Sequence, residues 1–399
     1  MPASRSKHAP GSSVTTAWLN LVLLSTVLIL SLVQPSYGRS TLGERALTQL
    51  SASDISSLVS SPDPAKNVDI SNSKSHLSKI LIPRPPDTAN NTIVKDYIVK
   101  TLRKLKWDVE EDSFNDTTPY GVKRFTNIIA TKDPSAPRRV ILAAHFDSKF
   151  FPTSPQNQFV GATDSAAPCA MMLDLAESLN SLLDHRAKQL EDGLADNDDM
   201  AETTLQLVFF DGEEAFKEWT KTDSVYGARH LAAKWASTYI NPNTKRRLLS
   251  SVATEISTIE HLILLDLLGA PNPVIQSFFK ETAWLFDAMA SAEQRLRDSD
   301  AFKGEDNWHS FFKQRTGNEF GGFIEDDHIP FLKEGVDVLH IIASPFPRVW
   351  HTLQDDASAL DLPTMRRWNL ILRVFMSEYL GLKPDAHGRR SRASEDLTS

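Results

Sequence analysis

Short apolar runs recur along the chain at Val140–His145, Leu205–Phe210, Leu262–Leu267 and Val336–Ile342. Runs of this length with no polar alternation fit strands buried on both faces of a sheet. Between them, apolar residues at helical spacing predict helices over Pro168–Leu183, Val225–Ser237, Ser277–Leu296 and Leu362–Leu380. Alternation of strand and helix implies an α/β layer structure with a largely parallel central sheet flanked by helices. Two further segments, Trp107–Phe114 and Phe125–Ala130, flank the turn Thr118-Pro119-Tyr120-Gly121 and predict an antiparallel pair at a sheet edge. The sheet is therefore expected to be mixed.

No internal repeat or long linker interrupts residues 76–382, which read as a single catalytic domain. The polar stretch 39–75 reads as a loosely packed lead-in with at most one short helix, and the tail 383–399 as frayed. At the amino terminus Arg5, Lys7 and His8 precede an apolar run from Ala17 to Val33 and the small residues of Ser36-Tyr37-Gly38. That pattern predicts a signal peptide over residues 1–38, with a signal-anchor as the alternative. Cleavage implies secretion. Retention implies a membrane-anchored Golgi protein. The sequons Asn90-Asn91-Thr92 and Asn115-Asp116-Thr117 suit either route as glycosylation acceptors.

Composition narrows the chemistry. With 41% hydrophobic residues in 399, disorder throughout is excluded. The 43 Lys and Arg against 51 Asp and Glu, a net charge of -8, argue against sequence-independent nucleic-acid binding. Cys169 is the single cysteine, so neither an intramolecular disulfide nor a Cys-based zinc finger can form. Any metal must be held by His, Asp and Glu. The acidic stretch Glu191–Glu202 has no apolar period and reads as a solvated loop rather than a metal site.

In open α/β sheets ligands bind beyond the carboxyl ends of the strands, so polar residues at predicted strand exits are the ones to collect. The first strand runs into His145-Phe146-Asp147-Ser148, and a loop then leads to Gly161-Ala162-Thr163-Asp164-Ser165 before a helix. The second strand exits at Asp211-Gly212-Glu213-Glu214, the third carries Asp266, and the fourth leads through His340 to Trp350-His351-Thr352. His145, Asp164, Glu214, Asp266 and His351 are donors suited to zinc. Adjacent Glu213 and Glu214 leave an extended loop in different directions, so one can bind metal while the other moves protons. Taken alone, Asp-Gly-Glu-Glu is a common polar turn and a lone histidine is usually structural. Only the constellation argues for a site.

Together these segments resemble the glutaminyl-peptide cyclotransferases, the single-zinc branch of the M28 zinc aminopeptidase superfamily. The resemblance runs from about Ile82 to Leu382 and includes His145-Phe146-Asp147-Ser148-Lys149, Phe209-Phe210-Asp211-Gly212-Glu213-Glu214-Ala215-Phe216, Asp326-Asp327-His328-Ile329-Pro330-Phe331 and Ser344-Pro345-Phe346-Pro347. It implies a zinc aminopeptidase-like fold with one Zn2+ per chain held by Asp164, Glu214 and His351. It also implies cyclisation of N-terminal Gln to pyroglutamate with release of ammonia, acting as a monomer on peptides and proteins, with N-terminal Glu as a further candidate substrate. By the same resemblance Glu213 is the general base, Asp266 holds the intermediate and leaving group, Asp326 and His340 form a supporting network, and Trp219, Phe346 and Trp350 line the substrate pocket.

Two positions depart from the pattern of animal members. Ala144 stands where they carry a cysteine, so the cross-link to Cys169 is absent, which bears on stability more than on activity. Glu325 replaces Gln beside Asp326, and an added anion there is expected to affect ammonium binding or the pH profile. The competing enzyme is a two-zinc M28-type aminopeptidase in which His145 and Asp266 bind a second metal and Asp164 bridges. A non-catalytic binding module is disfavoured because Glu213 and all three expected zinc ligands are intact.

Overall fold

A computed structural model describes residues 44–60, 62–192, 202–241, 246, 253–302, 308–317 and 320–384. The segment 1–38, most of the stretch 191–202 and the tail from 385 onward lie outside these residues. The elements follow in the order α1 (Ala52–Ser60), α2 (His76–Ile80), α3 (Ala89–Lys104), β1 (Asp108–Thr118), β2 (Gly121–Thr131), β3 (Arg138–His145), α4 (Ala167–Glu191), β4 (Thr203–Phe210), α5 (Tyr226–Ser237), β5 (Ile259–Asp266), α6 (Ala283–Asp298), α7 (His328–Lys333), β6 (Val338–Ile342) and α8 (Leu362–Tyr379).

The strands form one sheet in the order β1-β2-β4-β3-β5-β6. β3 pairs in parallel with β4 and β5, and β5 with β6, whereas β1, β2 and β4 are joined by antiparallel pairing. The sheet is mixed and mostly parallel in its middle, with the antiparallel hairpin at one edge. β3, β4 and β5 are buried along their whole length. Successive side chains of a strand face opposite ways, so Val140, Leu142 and Ala144 pack into one core with α3, α4, α6 and α8. Ile141 and Ala143 pack into a second core with α5 and α7. Helices thus cover both faces of the sheet. No helix among the described residues is long and apolar enough to cross a membrane.

Several boundaries differ from those the sequence predicts. The helix expected from Ser277 begins at Ala283, because Ile275 bridges Phe312 and Ala343 and the Ser277 carbonyl accepts from the Gly321 N–H at 2.7 Å. Backbone groups used in those cross-chain bonds are not available to a helix. β6 begins at Val338 rather than Val336, since the Val336 N–H donates to the Phe331 carbonyl (3.0 Å) and closes α7. β5 ends at Asp266 because Leu267 takes a left-handed φ of 53°. Helix α3, capped by the Thr88 hydroxyl accepting from the Asn91 N–H at 3.2 Å, was not anticipated.

The polar stretch before Ser75, expected to pack loosely, is fastened to the domain in its described part. Ile55, Leu58 and Val68 are buried in the main core. Fully buried Arg373 of α8 donates to the carbonyls of Leu58 (3.2 Å) and Pro62 (2.7 Å) while gripping Asp174 of α4 at 2.9–3.1 Å. The Asn67 amide donates to the same Asp174 at 3.1 Å. A few apolar anchors and one buried ion pair hold a segment that looks solvated from composition. Arg373→Met would strand the Asp174 charge, an expected loss of about 3–5 kcal/mol. Urea unfolding should show it, and limited proteolysis should find residues 52–68 more accessible than in wild type.

Candidate active site and its donor clusters

Because β3, β4, β5 and β6 run parallel, their carboxyl ends meet at one side of the sheet. His145, Asp211 and Asp266 leave it there, and His340 lies in β6 opposite Leu264. Two glycines make the approach possible. Gly212 has φ +80°, and a Cβ there would lie 2.4 Å from the Phe125 ring; Gly161 has φ +56°, and a Cβ would lie 2.1 Å from the Asp164 carbonyl oxygen. An L side chain is strained at either position.

Asp147 shapes the Glu213-Glu214 turn by accepting from both main-chain N–H groups, at 3.2 and 3.4 Å. Below it, Asp211 accepts from the Thr126 N–H (2.8 Å) and the Asn91 amide (3.0 Å). Glu214 then points at His351, with Oε1 3.1 Å from Nε2, and that nitrogen is 3.4 Å from Asp164 Oδ2. One donor atom each from Asp164, Glu214 and His351 lies within 4.8 Å of the others. Burial disfavours the charged imidazole of His351, yet its hydrogen bonds to Asp164 and Glu214 outweigh that and lift its pKa to about 9. A donor set of two carboxylates and one imidazole that gathers positive charge is suited to a divalent cation. Lys149 Nζ reaches Glu214 Oε2 at 3.0 Å.

A second donor cluster, His145, Asp164 and Asp266, adjoins the first through their shared Asp164. His145 Nε2 lies 3.0 Å from Asp164 and 3.5 Å from Asp266, and Nδ1 lies 3.4 Å from Asp147. Burial opposes the charge on His145, but these three carboxylates more than compensate and raise its pKa well above the usual value. Asp164 is held below the usual carboxylate range: burial pushes it up, and hydrogen bonds from His145 and His351 push it further down. Asp266 accepts from the Ser165 hydroxyl and from the Leu267 N–H (2.8 Å). Burial and the charge of Asp326 raise its pKa to about 6.

Glu213 shares the cavity without joining these two clusters or a third, buried one of Asp326, His328 and His340. Burial raises its pKa well above the ordinary range, opposed by His145 and reinforced by Glu214, Asp326 and Asp327. Asp326 accepts from His340 Nε2 at 2.8 Å. Next to this pair, the Asp327 carboxylate and both ring nitrogens of His328 are buried with no hydrogen-bond partner among the described residues. Burial and Asp326 push Asp327 well up, whereas burial and the nearby His340 bring His328 down to about 3.

These groups open into a cavity of about 690 Å³ lined by Asp164, Glu213, Glu214, Asp266, His351 and aromatic side chains. Trp219 (39% exposed), Phe323 (74%) and Trp350 (41%) stand at it. Trp219 Nε1 donates to Glu325 Oε2 at 2.9 Å, so the anion at position 325 lies at the cavity, paired to an indole. Phe346 packs edge-on to Trp350, with centroids 5.0 Å apart, and Trp350 stacks on His351 at 3.9 Å.

The structure therefore brings together Asp164, Glu213, Glu214, Asp266, His351, Trp219, Glu325, Phe346 and Trp350 at one cavity. Asp326 and His340 lie behind it, buried. Sequence reasoning gave no role to Asp147, Lys149, Ser165 or His328. All four stand inside quoted motifs, so their positions were visible but their partners were not.

Residues 127–376 match peptidase family M28, which gives the class. The chain is 43% identical to a glutaminyl-peptide cyclotransferase of Bos taurus over 308 residues, covering 77% of this chain and 81% of that one. It is 44% identical to a Drosophila melanogaster glutaminyl-peptide cyclotransferase over 313 residues, covering 76% and 79%. The crystal structure of a Macrostomum lignano glutaminyl cyclase superposes with a TM-score of 0.71 at 36% identity, covering 86% of this chain and 97% of that one. Within peptidase family M28, the chain belongs to the glutaminyl-peptide cyclotransferases.

Neutral His328 yields a pH signature. Unfolded, the imidazole takes a proton near 6.5; folded, it does so only near 3, so its contribution to stability is complete above 6.5 and is lost as the pH falls toward 3. Replacing it with Phe should make the unfolding free energy fall less steeply with acidification over that interval than in wild type, as urea titrations at several pH values would show.

Proposed function

We propose that this chain converts the N-terminal glutamine of peptides and proteins to pyroglutamate with release of ammonia, using one Zn2+ held by Asp164, Glu214 and His351. The observation that carries this reading is the convergence of those three donors on the cavity that also holds Glu213 and Asp266. Bound by these residues, zinc would supply Lewis acidity toward the glutamine side-chain carbonyl.

The substrate brings its own nucleophile, the α-amino group, so the site has to orient and to move protons rather than to assemble two reactants. The ring C–N bond forms between the α-nitrogen and the side-chain carbonyl carbon, and the bond from that carbon to the amide nitrogen breaks. Glu213 takes a proton from the α-nitrogen and returns it to the departing amide nitrogen, which leaves as ammonia. Its raised proton affinity, set by burial and its carboxylate neighbours, suits a group that must accept a proton and then donate it. Asp266, anchored by Ser165 and the Leu267 N–H, holds the leaving nitrogen. Asp326 and His340 support both from behind, and Trp219, Phe346 and Trp350 bound the pocket for the glutamine side chain.

Mass spectrometry of a Gln-initiated peptide incubated with the zinc-loaded protein, beside an otherwise identical Leu-initiated peptide, tests the activity. Loss of ammonia from the Gln peptide alone is expected. Shortening of either peptide by its first residue would point instead to a two-metal aminopeptidase built on the His145, Asp164 and Asp266 cluster. Glu213→Gln should keep zinc and lose about 100-fold or more in turnover, while His351→Ala should lose both metal and activity. Normal turnover by Glu213→Gln would refute the proton-shuttle role.

The amino-terminal pattern supports entry into the secretory pathway, and the two sequons then differ in fitness. Asn90 lies in α3 with its amide donated to the Pro83 carbonyl at 2.8 Å. Asn115 is exposed in β1, the edge strand of the sheet. Expressed in secretory cells, the protein should carry a glycan at Asn115, seen as a gel shift on glycosidase treatment that Asn115→Gln removes.

A further inference from the structure

Arg84 lies in the loop between α2 and α3 and is completely buried. All of its guanidinium hydrogen bonds go to main-chain carbonyls. Nε donates to Phe146 (2.5 Å), Nη1 to Ile82 (3.3 Å) and Val160, and Nη2 to Gly161 (3.2 Å). Its main chain is tied to the same region, since its N–H donates to Ser148 Oγ at 2.9 Å and its carbonyl accepts from the Ser148 N–H at 3.4 Å. Phe146 and Ser148 immediately follow His145, and Val160 and Gly161 open the turn that carries Asp164. The side chain thus bridges the exit of β3 and the start of the Asp164 turn, two segments that no regular pairing joins. Burying a guanidinium is costly unless its hydrogen bonds are made and negative charge is near. Both conditions are met, the second by the fields of Asp147, Asp164 and Asp355.

We propose that Arg84 is a positioning residue for the metal-binding end of the sheet, clamping the Asp164 turn to the exit of β3 so that Asp164 meets Glu214 and His351 in a preformed donor set. The inference rests on the ligand set proposed above. The planar fork is what the role needs, because one ammonium cannot span carbonyls on both segments. Groups that orient ligands in this way typically contribute about 10–100-fold to metal affinity.

The test is zinc affinity of the full-length protein, by competition with a chromophoric chelator, together with thermal melting before and after zinc addition, for wild type, Arg84→Lys, Ser148→Ala and His351→Ala. Arg84→Lys should bind zinc about 10–100-fold more weakly and show a smaller zinc-dependent rise in melting temperature. Ser148→Ala keeps the guanidinium but removes the hydroxyl to which the Arg84 N–H donates, and should weaken zinc binding in the same direction by a smaller factor; it carries the test if the lysine variant fails to fold. Unchanged zinc affinity in the folded variants, even with lower melting temperatures, would reduce Arg84 to a packing role and overturn the proposal. If His351→Ala bound zinc as wild type does, the ligand set itself would be wrong, a result separable from failure of the Arg84 role alone.

Discussion

Carboxylates crowded at the carboxyl ends of β3, β4 and β5 cannot all ionise in a poorly hydrated interior, and the surrounding structure shares protons and positive charge among them. Asp147, Asp164, Asp211, Glu213, Glu214, Asp266, Asp326 and Asp327 are all buried there. Some are kept ionised by specific donors: Asp164 by two imidazoles and Asp326 by His340. Others are pushed toward the protonated form by burial and by their neighbours, namely Asp211, Glu213, Asp266 and Asp327. Members of both sets, Asp164 on one side and Glu213 and Asp266 on the other, line the same cavity.

Backbone geometry enforces that division. The turn after β4 presents Glu213 and Glu214 to the cavity because Asp147 collects both of their N–H groups and Gly212 lets the chain pass tightly over Phe125. After the turn, the Val225 N–H returns to the Glu213 carbonyl at 2.8 Å, and Val225 takes a left-handed φ of 43°. A β-branched residue is rarely found there, so the loop is held from both ends. The two carboxylates thus leave a turn that is hydrogen-bonded at both of its ends.

Much of this was legible in the sequence. β3 to β5 read as unbroken apolar runs because they are covered on both faces, and once the parallel sheet was inferred the strand exits named Asp164, Glu213, Glu214, Asp266 and His351. Helix α3 escaped notice although Val94, Ile98 and Leu102 recur at four-residue spacing behind a threonine cap, because polar residues fill the intervening positions. Arg84 and Arg373 escaped for a different reason. Each makes hydrogen bonds to main-chain carbonyls far away in sequence, and carbonyls leave no trace in residue type. The anchoring of the described residues between 44 and 75 was hidden likewise, since it depends on a few scattered apolar side chains and on partners in α4 and α8.

Helix α8 follows every strand among the described residues, yet Trp368, Leu370, Ile371, Phe375 and Tyr379 belong to the larger core, and its Arg373 ties down the segment around Leu58 and Pro62. A ribosome must therefore release nearly all of the described chain before that core can close. Until then one face of the sheet is only partly covered, and the central strand β3 pairs on both of its edges with strands made later. Incomplete chains with uncovered apolar surface are prone to aggregate, so a substitution that unseats α8 would act first on closure of the core rather than on the cavity residues.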